Sequence, residues 1–344
     1  MRILVTGGAG FIGSHVIRRW LRRHPTDEIV NLDALTYAGS RERLADVDAQ
    51  SGYRFLHGDI CDPQAVQDAM RGCQAVVHMA AETHVDRSIT DGAPFLRTNV
   101  EGTHVLLQEA QRQGVARFLH VSTDEVYGPI LEGAADEQAA LSPRSPYAAS
   151  KASGDLLAQA FFHTHGLPVT VVRPTNIFGP AQLPEKFIPL CITSAVEGRS
   201  IPLYGDGQQR RAWLFVEDLV EALCVLLERG EAGRIYNVGS GQERTNLETA
   251  QQILLLLGCA LTLIQRVADR PGHDRRYAMR DDAIHALGWQ PRTSFEQGLE
   301  QTVTWYRAHP EWWAPLAQKL REDSYHWLNR AAGASPRQAL RAAV

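Results

Sequence analysis

No stretch of the 344 residues is long and apolar enough to span a bilayer: the longest apolar run, Ile253 to Ile264, is broken by Gly258 and Thr262. Positive charge is not in excess either. Thirty-five Lys and Arg stand against 39 Asp and Glu, for a net charge of -4, which leaves no broad basic surface for nucleic acid or anionic lipid. Neither a membrane nor a nucleic acid is expected as a partner. The five cysteines (Cys61, Cys73, Cys191, Cys224, Cys259) are odd in number, scattered and without a C-x-x-C pair, which argues against a disulfide framework and a zinc site. Met1 leads directly into Arg2-Ile3-Leu4-Val5-Thr6 with no apolar segment of a signal peptide, so a reducing cytoplasm is the expected location. What is present is ordinary for a globular protein, 44% apolar and 22% charged residues, in a chain long enough for one large domain carrying a smaller lobe.

The first strand-like run ends in Thr6-Gly7-Gly8-Ala9-Gly10-Phe11-Ile12-Gly13, and Ser14 to Arg23 reads as a helix. In this G-x-x-G-x-x-G spacing Gly7 permits the tight turn, Gly10 lets backbone approach a pyrophosphate, and Gly13 allows close packing of helix on strand, with phosphate at the helix N-terminus. The second strand, Glu28 to Leu32, is followed by Asp33, whose carboxylate would accept hydrogen bonds from a ribose 2′-hydroxyl and repel a 2′-phosphate. NAD, rather than NADP, is therefore the expected cofactor.

Tyr53 to His57 and Ala75 to Met79 read as further strands, with Asp59 and Ile60 as a wall for adenine and the small Ala80 and Ala81 letting the chain pass close to the cofactor. A long helix is expected over Pro94 to Gln113, then a strand over Arg117 to Val121, a helix over Tyr147 to His165 and a strand over Val169 to Val172. Strands alternating with helices predict an α/β fold, a Rossmann-type doubly wound parallel sheet, with ligands at the carboxyl ends of its strands. Beyond residue 174 the alternation breaks among proline-bearing segments, and a smaller C-terminal substrate-binding lobe is expected over 175–328. Elements near 212–240 return to the 1–174 domain, and a flexible tail covers 329–344. Asn246 reads as a helix N-cap, and Asp269 to Tyr277 as a loop too polar for core.

Chemistry concentrates in Ser122-Thr123-Asp124-Glu125 and in Tyr147 and Lys151, which lie four residues apart on one face of a helix. A lysine so placed favours the phenolate of the tyrosine and supplies a general base for a sugar or alcohol hydroxyl while hydride leaves for NAD.

These motifs resemble those of the extended short-chain dehydrogenase/reductase family and, within it, the enzymes that dehydrate a nucleotide-linked glucose. Supporting stretches are Leu32 to Gly39, Ala80 to Ile89, Ser122 to Gly128, Pro184-Glu185-Lys186 and Arg270 to Asp274. The resemblance implies that Tyr147 takes the 4-hydroxyl proton while Thr123 holds that hydroxyl. Glu125 then removes the C5 proton, and a protonated Asp124 serves the departing 6-hydroxyl, two neighbouring carboxyls with split pKa values making the pair possible. It further implies cofactor contacts from Phe11, Ile12, Thr36, Thr83 and Asn99. Substrate contacts map to Thr83, Asn176, Lys186, Arg211, Asn237, Arg270 and His273, their cations suiting a nucleotide diphosphate, with Pro202 and Tyr204 near the base. The implied substrate is dTDP-glucose and the implied assembly a homodimer through helices flanking residues 100 and 155. A UDP-sugar dehydratase, a 4-epimerase and a non-catalytic dinucleotide-binding scaffold are the alternatives. Ile177 and Phe178 stand where the family usually has Asn and Tyr, and Ala212 where an acid usually follows Arg211, departures that bear on specificity rather than on the chemistry.

Overall fold

Seven parallel strands form the central sheet of the computed structural model, which describes residues 1–323. In chain order they are β1 (Arg2–Thr6), β2 (Glu28–Asp33), β3 (Tyr53–His57), β4 (Ala75–His78), β5 (Arg117–Val121), β6 (Val169–Pro174) and, after an excursion into a second lobe, β10 (Ile235–Val238). Their spatial order is β10-β6-β5-β4-β1-β2-β3. The chain winds outward in both directions from β1, so a crevice opens between the carboxyl ends of β1 and β4. The strands read as apolar runs because helices cover both faces.

The excursion carries β7 (Asn176–Phe178), β8 (Ile201–Tyr204) and β9 (Arg210–Phe215), and after β10 come β11 (Glu243–Thr245) and β12 (Ile264–Val267). They form a three-stranded sheet β11-β9-β7 and the pair β12-β8. Helices Phe187–Val196, Asn246–Leu257 and Phe295–Ala308 close a separate apolar core around Phe178, Trp213 and Phe295. Helix Val216–Arg229 instead packs back on helix Phe11–Arg23 beside the large sheet. Phe178 is fully buried, its ring centroid 5.4 Å from Phe295 and 5.7 Å from Phe215, so the missing tyrosine hydroxyl leaves a purely apolar cluster. The tail expected over 329–344, and the lobe's end at 328, lie outside the described residues.

Three local expectations change. The first helix begins at Phe11, so Phe11, Ile12 and Gly13 form its first turn and direct their backbone N–H groups into the crevice. The long helix over 94–113 contains a π-helical stretch, Arg97–Gly102, where the chain passes Ile60 so closely that a Cβ on Gly102 would lie 2.6 Å from its side chain. Thr245, not Asn246, caps helix Asn246–Leu257, in a capping box with Glu248.

The turn after β1 depends on glycine. Gly7 has φ 73° and no room for a Cβ, which would sit 2.7 Å from the Ala80 backbone; at Gly13 it would sit 2.4 Å from the Gly7 carbonyl oxygen. Gly13→Ala is accordingly expected to push the helix off the strand, lowering stability by about 1–3 kcal/mol and weakening cofactor retention. Unchanged urea midpoint and unchanged bound dinucleotide would contradict this packing.

Candidate active site

Strand β5 ends at Val121, and Thr123 begins a tight helical turn, Asp124–Tyr127, by accepting the Glu125 N–H at 3.3 Å. Gly128 ends the turn at φ 71°, where a Cβ would collide with the Ser142 carbonyl at 2.2 Å. This short turn sends adjacent side chains in different directions. Glu125 faces the crevice, whereas Asp124 lies behind it, only 3% exposed. Asp124 meets the Thr123 hydroxyl at 3.3 Å through Oδ1 and the Thr175 hydroxyl at 3.2 Å through Oδ2, and both threonines line the crevice.

Helix Pro146–His165 is capped by Ser145, which accepts the Ala148 N–H at 3.1 Å, and it brings Tyr147 and Lys151 to the same crevice. Lys151 Nζ donates to the Val121 carbonyl at 2.7 Å. Burial lowers this lysine to about 8, while Asp155, one turn further along, pulls it upward. The phenol of Tyr147 does not follow the expectation of a lowered pKa. Burial raises it first, the charge of Glu125 adds to this, a hydrogen bond from Thr123 opposes it, and Asp124 and Asp155 raise it further. Burial and the acids beside the phenol therefore oppose the phenolate, while the Lys151 ammonium is directed to the Val121 carbonyl.

The carboxyls are separated by environment. Asp124 is pushed up to about 7, first by burial and then by Glu125, against the pull of Arg211 and of the Thr175 and Thr123 hydroxyls. Glu125 is also raised by burial, but Arg270, Arg211 and Lys186 hold it down. Asp124 is thereby suited to carry a proton near neutrality and Glu125 to accept one.

The crevice is a cavity of about 830 Å³ lined by Gly7, Gly10, Phe11, Ile12, Gly13, Asp33, Thr36, Asp59, Ile60, Ala80, Ala81 and Thr83, along with Thr123, Glu125, Tyr147 and Lys151. These residues fit a dinucleotide: glycines that leave no space for a side chain, a helix N-terminus and an acid at the end of β2. Asp33 accepts the Ala9 and Leu35 N–H groups at 2.9 and 2.8 Å, and each oxygen retains a lone pair for a ribose hydroxyl. Asn99 does not join them. Its amide is spent on both backbone groups of Glu82, at 2.9 and 3.0 Å, and on the Ser150 hydroxyl, at 2.9 Å.

A second cavity, about 220 Å³, adjoins the first through Thr83, Glu125, Asn176, Ile177, Glu185 and Lys186. Pro202, Tyr204, Arg211, Arg270 and His273 line it. The loop 269–277 therefore roofs this cavity and is not merely a solvated charged loop. Arg270 donates to Asp86 at 2.8 Å, and Asp86 also accepts the Tyr204 hydroxyl at 2.8 Å. Arg211 is oriented without an acid at 212: it donates to the Asp274 carbonyl at 2.9 Å, and its guanidinium lies 4.4 Å from the Tyr277 ring centroid. His273 is not one of the cations. Burial, with Arg270 and Arg211 beside it, lowers it to about 4 despite an Asp269 carboxylate at 2.6 Å. Asn237 also falls outside the cavity, wholly buried, accepting the Tyr127 hydroxyl at 2.7 Å and donating to the Arg280 carbonyl at 2.8 Å.

Sequence reasoning missed Arg43, Thr175, Gln182 and Tyr277. Arg43, buried beside Asp33, donates to the Ala38 and Ala9 carbonyls at 2.8 and 3.1 Å and so ties the β2 exit loop to the glycine turn. Buried polar atoms facing the cavities, Asn176 Oδ1, Gln182 Oε1, Glu185 Oε2 and Arg270 Nε, lack a hydrogen-bond partner among the described residues, as suits a site made for a hydroxyl-rich ligand.

Residues 3–239 match the NAD dependent epimerase/dehydratase family. The chain belongs to that family. It is 51% identical over 321 residues to the dTDP-glucose 4,6-dehydratase of Streptomyces niveus, covering 92% of this chain and 96% of the relative. The crystal structure of the dTDP-glucose 4,6-dehydratase of Streptomyces venezuelae, which has NAD bound, superposes with a TM-score of 0.90 at 50% identity, covering 92% of this chain and all of that one. The NAD-bound UDP-glucose 4-epimerase of Thermus thermophilus is similar at 33% identity, with a TM-score of 0.83 and coverage of 89% and 99%. Family members with different outcomes at C4 thus have the same architecture, and what distinguishes them must be sought in side chains at the cavity. Among the described residues no group of three His, Cys, Asp or Glu could hold a metal ion, and no helix is long and apolar enough to cross a membrane.

Proposed function

We infer that this protein is an NAD-dependent hydro-lyase, a dTDP-glucose 4,6-dehydratase that forms dTDP-4-keto-6-deoxyglucose by internal hydride transfer from C4 to C6. The observation that carries the reading is the pair Asp124 and Glu125. The one is held near neutrality by burial, the other faces the cavity among three cations, and a 4-epimerase has no use for such an acid and base.

Residues 1–174, with the elements returning near 212–240, would hold NAD, and residues 175–328 mainly the nucleotide sugar. When bound, NAD accepts the hydride and later returns it, and its cationic ring adds to the cavity a positive charge that favours the Tyr147 phenolate. Tyr147 takes the proton of the 4-hydroxyl, with Thr123 holding that oxygen. Once C4 is a ketone the C5 proton is acidic. Glu125 removes it as the C6–O bond breaks, and Asp124 supplies the proton with which the hydroxyl leaves as water. Glu125 then reprotonates C5. Lys186, Arg211 and Arg270 suit the diphosphate, and Pro202 and Tyr204 the base. A homodimer through the helices flanking residues 100 and 155 is supported by Leu96 and Leu156, 58% and 59% exposed there. Five free cysteines suit a cytoplasmic location.

Asp33 would face a 2′-phosphate in NADP. NAD is expected to bind protein stripped of dinucleotide roughly a hundredfold more tightly than NADP, the cost of unpaired like charges at a binding site being several kcal/mol. Equal affinities in a fluorescence titration would remove Asp33 from this role. Incubation with a panel of dTDP- and UDP-sugars, with products identified by mass and NMR, tests the substrate. A dehydrated product from dTDP-glucose alone is expected, and turnover confined to UDP-sugars would overturn the reading.

A further inference from the structure

A buried carboxyl that gives up a proton in every turnover must be tolerated in two charge states, and the residues around Asp124 show how. Thr123 stands at its Oδ1. Glu125 and Tyr147 raise the cost of its charge or are raised by it, and Arg211 is the cation that faces it. At its other oxygen lies Thr175, in the crevice wall between β6 and β7, only 4% exposed and anchored by donation of its N–H to the Val238 carbonyl at 3.0 Å. The Thr175 hydroxyl has two acceptors within reach, the Ala212 carbonyl at 2.9 Å and Asp124 Oδ2 at 3.2 Å, but a single hydrogen to give.

We propose that Thr175 is a positioning residue for the acid step, its hydroxyl hydrogen directed to the Ala212 carbonyl while Asp124 is protonated and turned to Asp124 Oδ2 once Asp124 has released its proton. This rests on the dehydratase reading. In the first state Asp124 carries its proton on Oδ1, the oxygen beside Thr123, while the Thr175 hydrogen stays on the Ala212 carbonyl and Oδ2 is uncharged. In the elimination Glu125 takes the C5 proton, the electrons of that bond become the C5–C6 double bond, and the C6–O pair leaves on oxygen. Asp124 protonates that oxygen to water and becomes a buried anion. Rotation about one C–O bond then gives the new carboxylate a donor without moving the backbone. An isosteric side chain lacking the hydroxyl leaves Oδ2 without a donor in its charged state, which makes Asp124 a weaker acid at the moment its proton is needed.

Thr175→Val and Thr175→Ser test this. The valine variant is expected to lose roughly ten- to hundredfold in kcat for dehydration, the worth of one hydrogen bond to a charged group, with KM and the rapid appearance of NADH unchanged. The alkaline limb of its kcat profile should move upward by about one pH unit. The serine variant should restore both. In substrate-free protein, the infrared carboxyl band that disappears in Asp124→Asn should titrate with a higher midpoint in Thr175→Val. Equal losses in the NADH phase and the dehydration phase, failure of serine to restore them, or a midpoint that stays or falls would overturn the proposal. If the unaltered protein does not dehydrate dTDP-glucose, it is the dehydratase reading that fails, and the infrared midpoint still decides whether Thr175 supports the Asp124 charge.

Discussion

Glu125→Gln and Asp124→Asn are expected to form NADH on mixing with dTDP-glucose and then stop, with dehydrated product reduced by about 10²–10⁴-fold, the usual worth of a positioned acid or base. The order of events follows from the geometry. Tyr147 and Lys151 reach the cavity from helix Pro146–His165, independently of the turn that carries the two carboxyls, so oxidation at C4 does not need Asp124 or Glu125 to transfer a proton. Both substitutions preserve shape, Asp124→Asn replaces a group that already carries its proton and Glu125→Gln removes the charge that most raises the Tyr147 phenol, so the first step has no reason to suffer. Tyr147→Phe removes the base for the 4-hydroxyl and should impair NADH formation itself. Stopped-flow absorbance of the three variants distinguishes these cases, and equal loss of the NADH signal in all three would show the assigned roles to be wrong.

Asp124→Asn should also change how stability depends on pH. The folded protein holds the Asp124 proton up to about 7, well above the usual carboxylate range near 4, because burial and then Glu125 penalise the charge. The stability that this group contributes is therefore fully present below the unfolded carboxylate pKa and is lost as pH rises through 7. Asparagine has no proton to lose. The variant should accordingly gain on the unaltered protein between pH 4 and pH 7, by about 2–4 kcal/mol for a displacement of about three units, and hold that gain above pH 7. Urea unfolding at pH 5 and pH 8 reads the difference directly. A gap between the two proteins that is constant with pH, or that closes on going to pH 8, would mean that Asp124 is ionised in the folded state at neutral pH.

The sheet was legible because its determinants are local. Apolar runs, the glycine turn at 7–13 and an acid after the second strand each specify their neighbourhood within a few residues. Most cavity-lining residues were legible for the same reason, since they sit at strand ends whose direction follows from the winding of the chain. What was not legible depends on distant partners. Asn99 and Asn237 carry side chains suited to a ligand, but Glu82 in one case and Tyr127 with Arg280 in the other use up their hydrogen-bonding capacity. His273 looks like a cation until Arg270 and Arg211 are placed beside it. The phenol of Tyr147 looks like a ready base until its burial, with the Glu125 charge beside it, is seen. Arg43, Thr175 and Tyr277 fall in no motif, and only the fold brings Thr175 to Asp124, 51 positions earlier in the chain.

The central claim, that one cavity oxidises C4, expels water across C5 and C6 and then reduces C6, is tested most directly by running the reaction in D2O with dTDP-glucose carrying tritium or deuterium at C4. The C5 proton passes to Glu125, which exchanges with water before C5 is protonated again, whereas the C4 hydrogen travels as hydride and does not meet solvent. The account predicts a product lighter than substrate by one water, with solvent deuterium at C5 and the original C4 label at C6. An isomer of unchanged mass with no solvent label would contradict it and assign the chain to the epimerases.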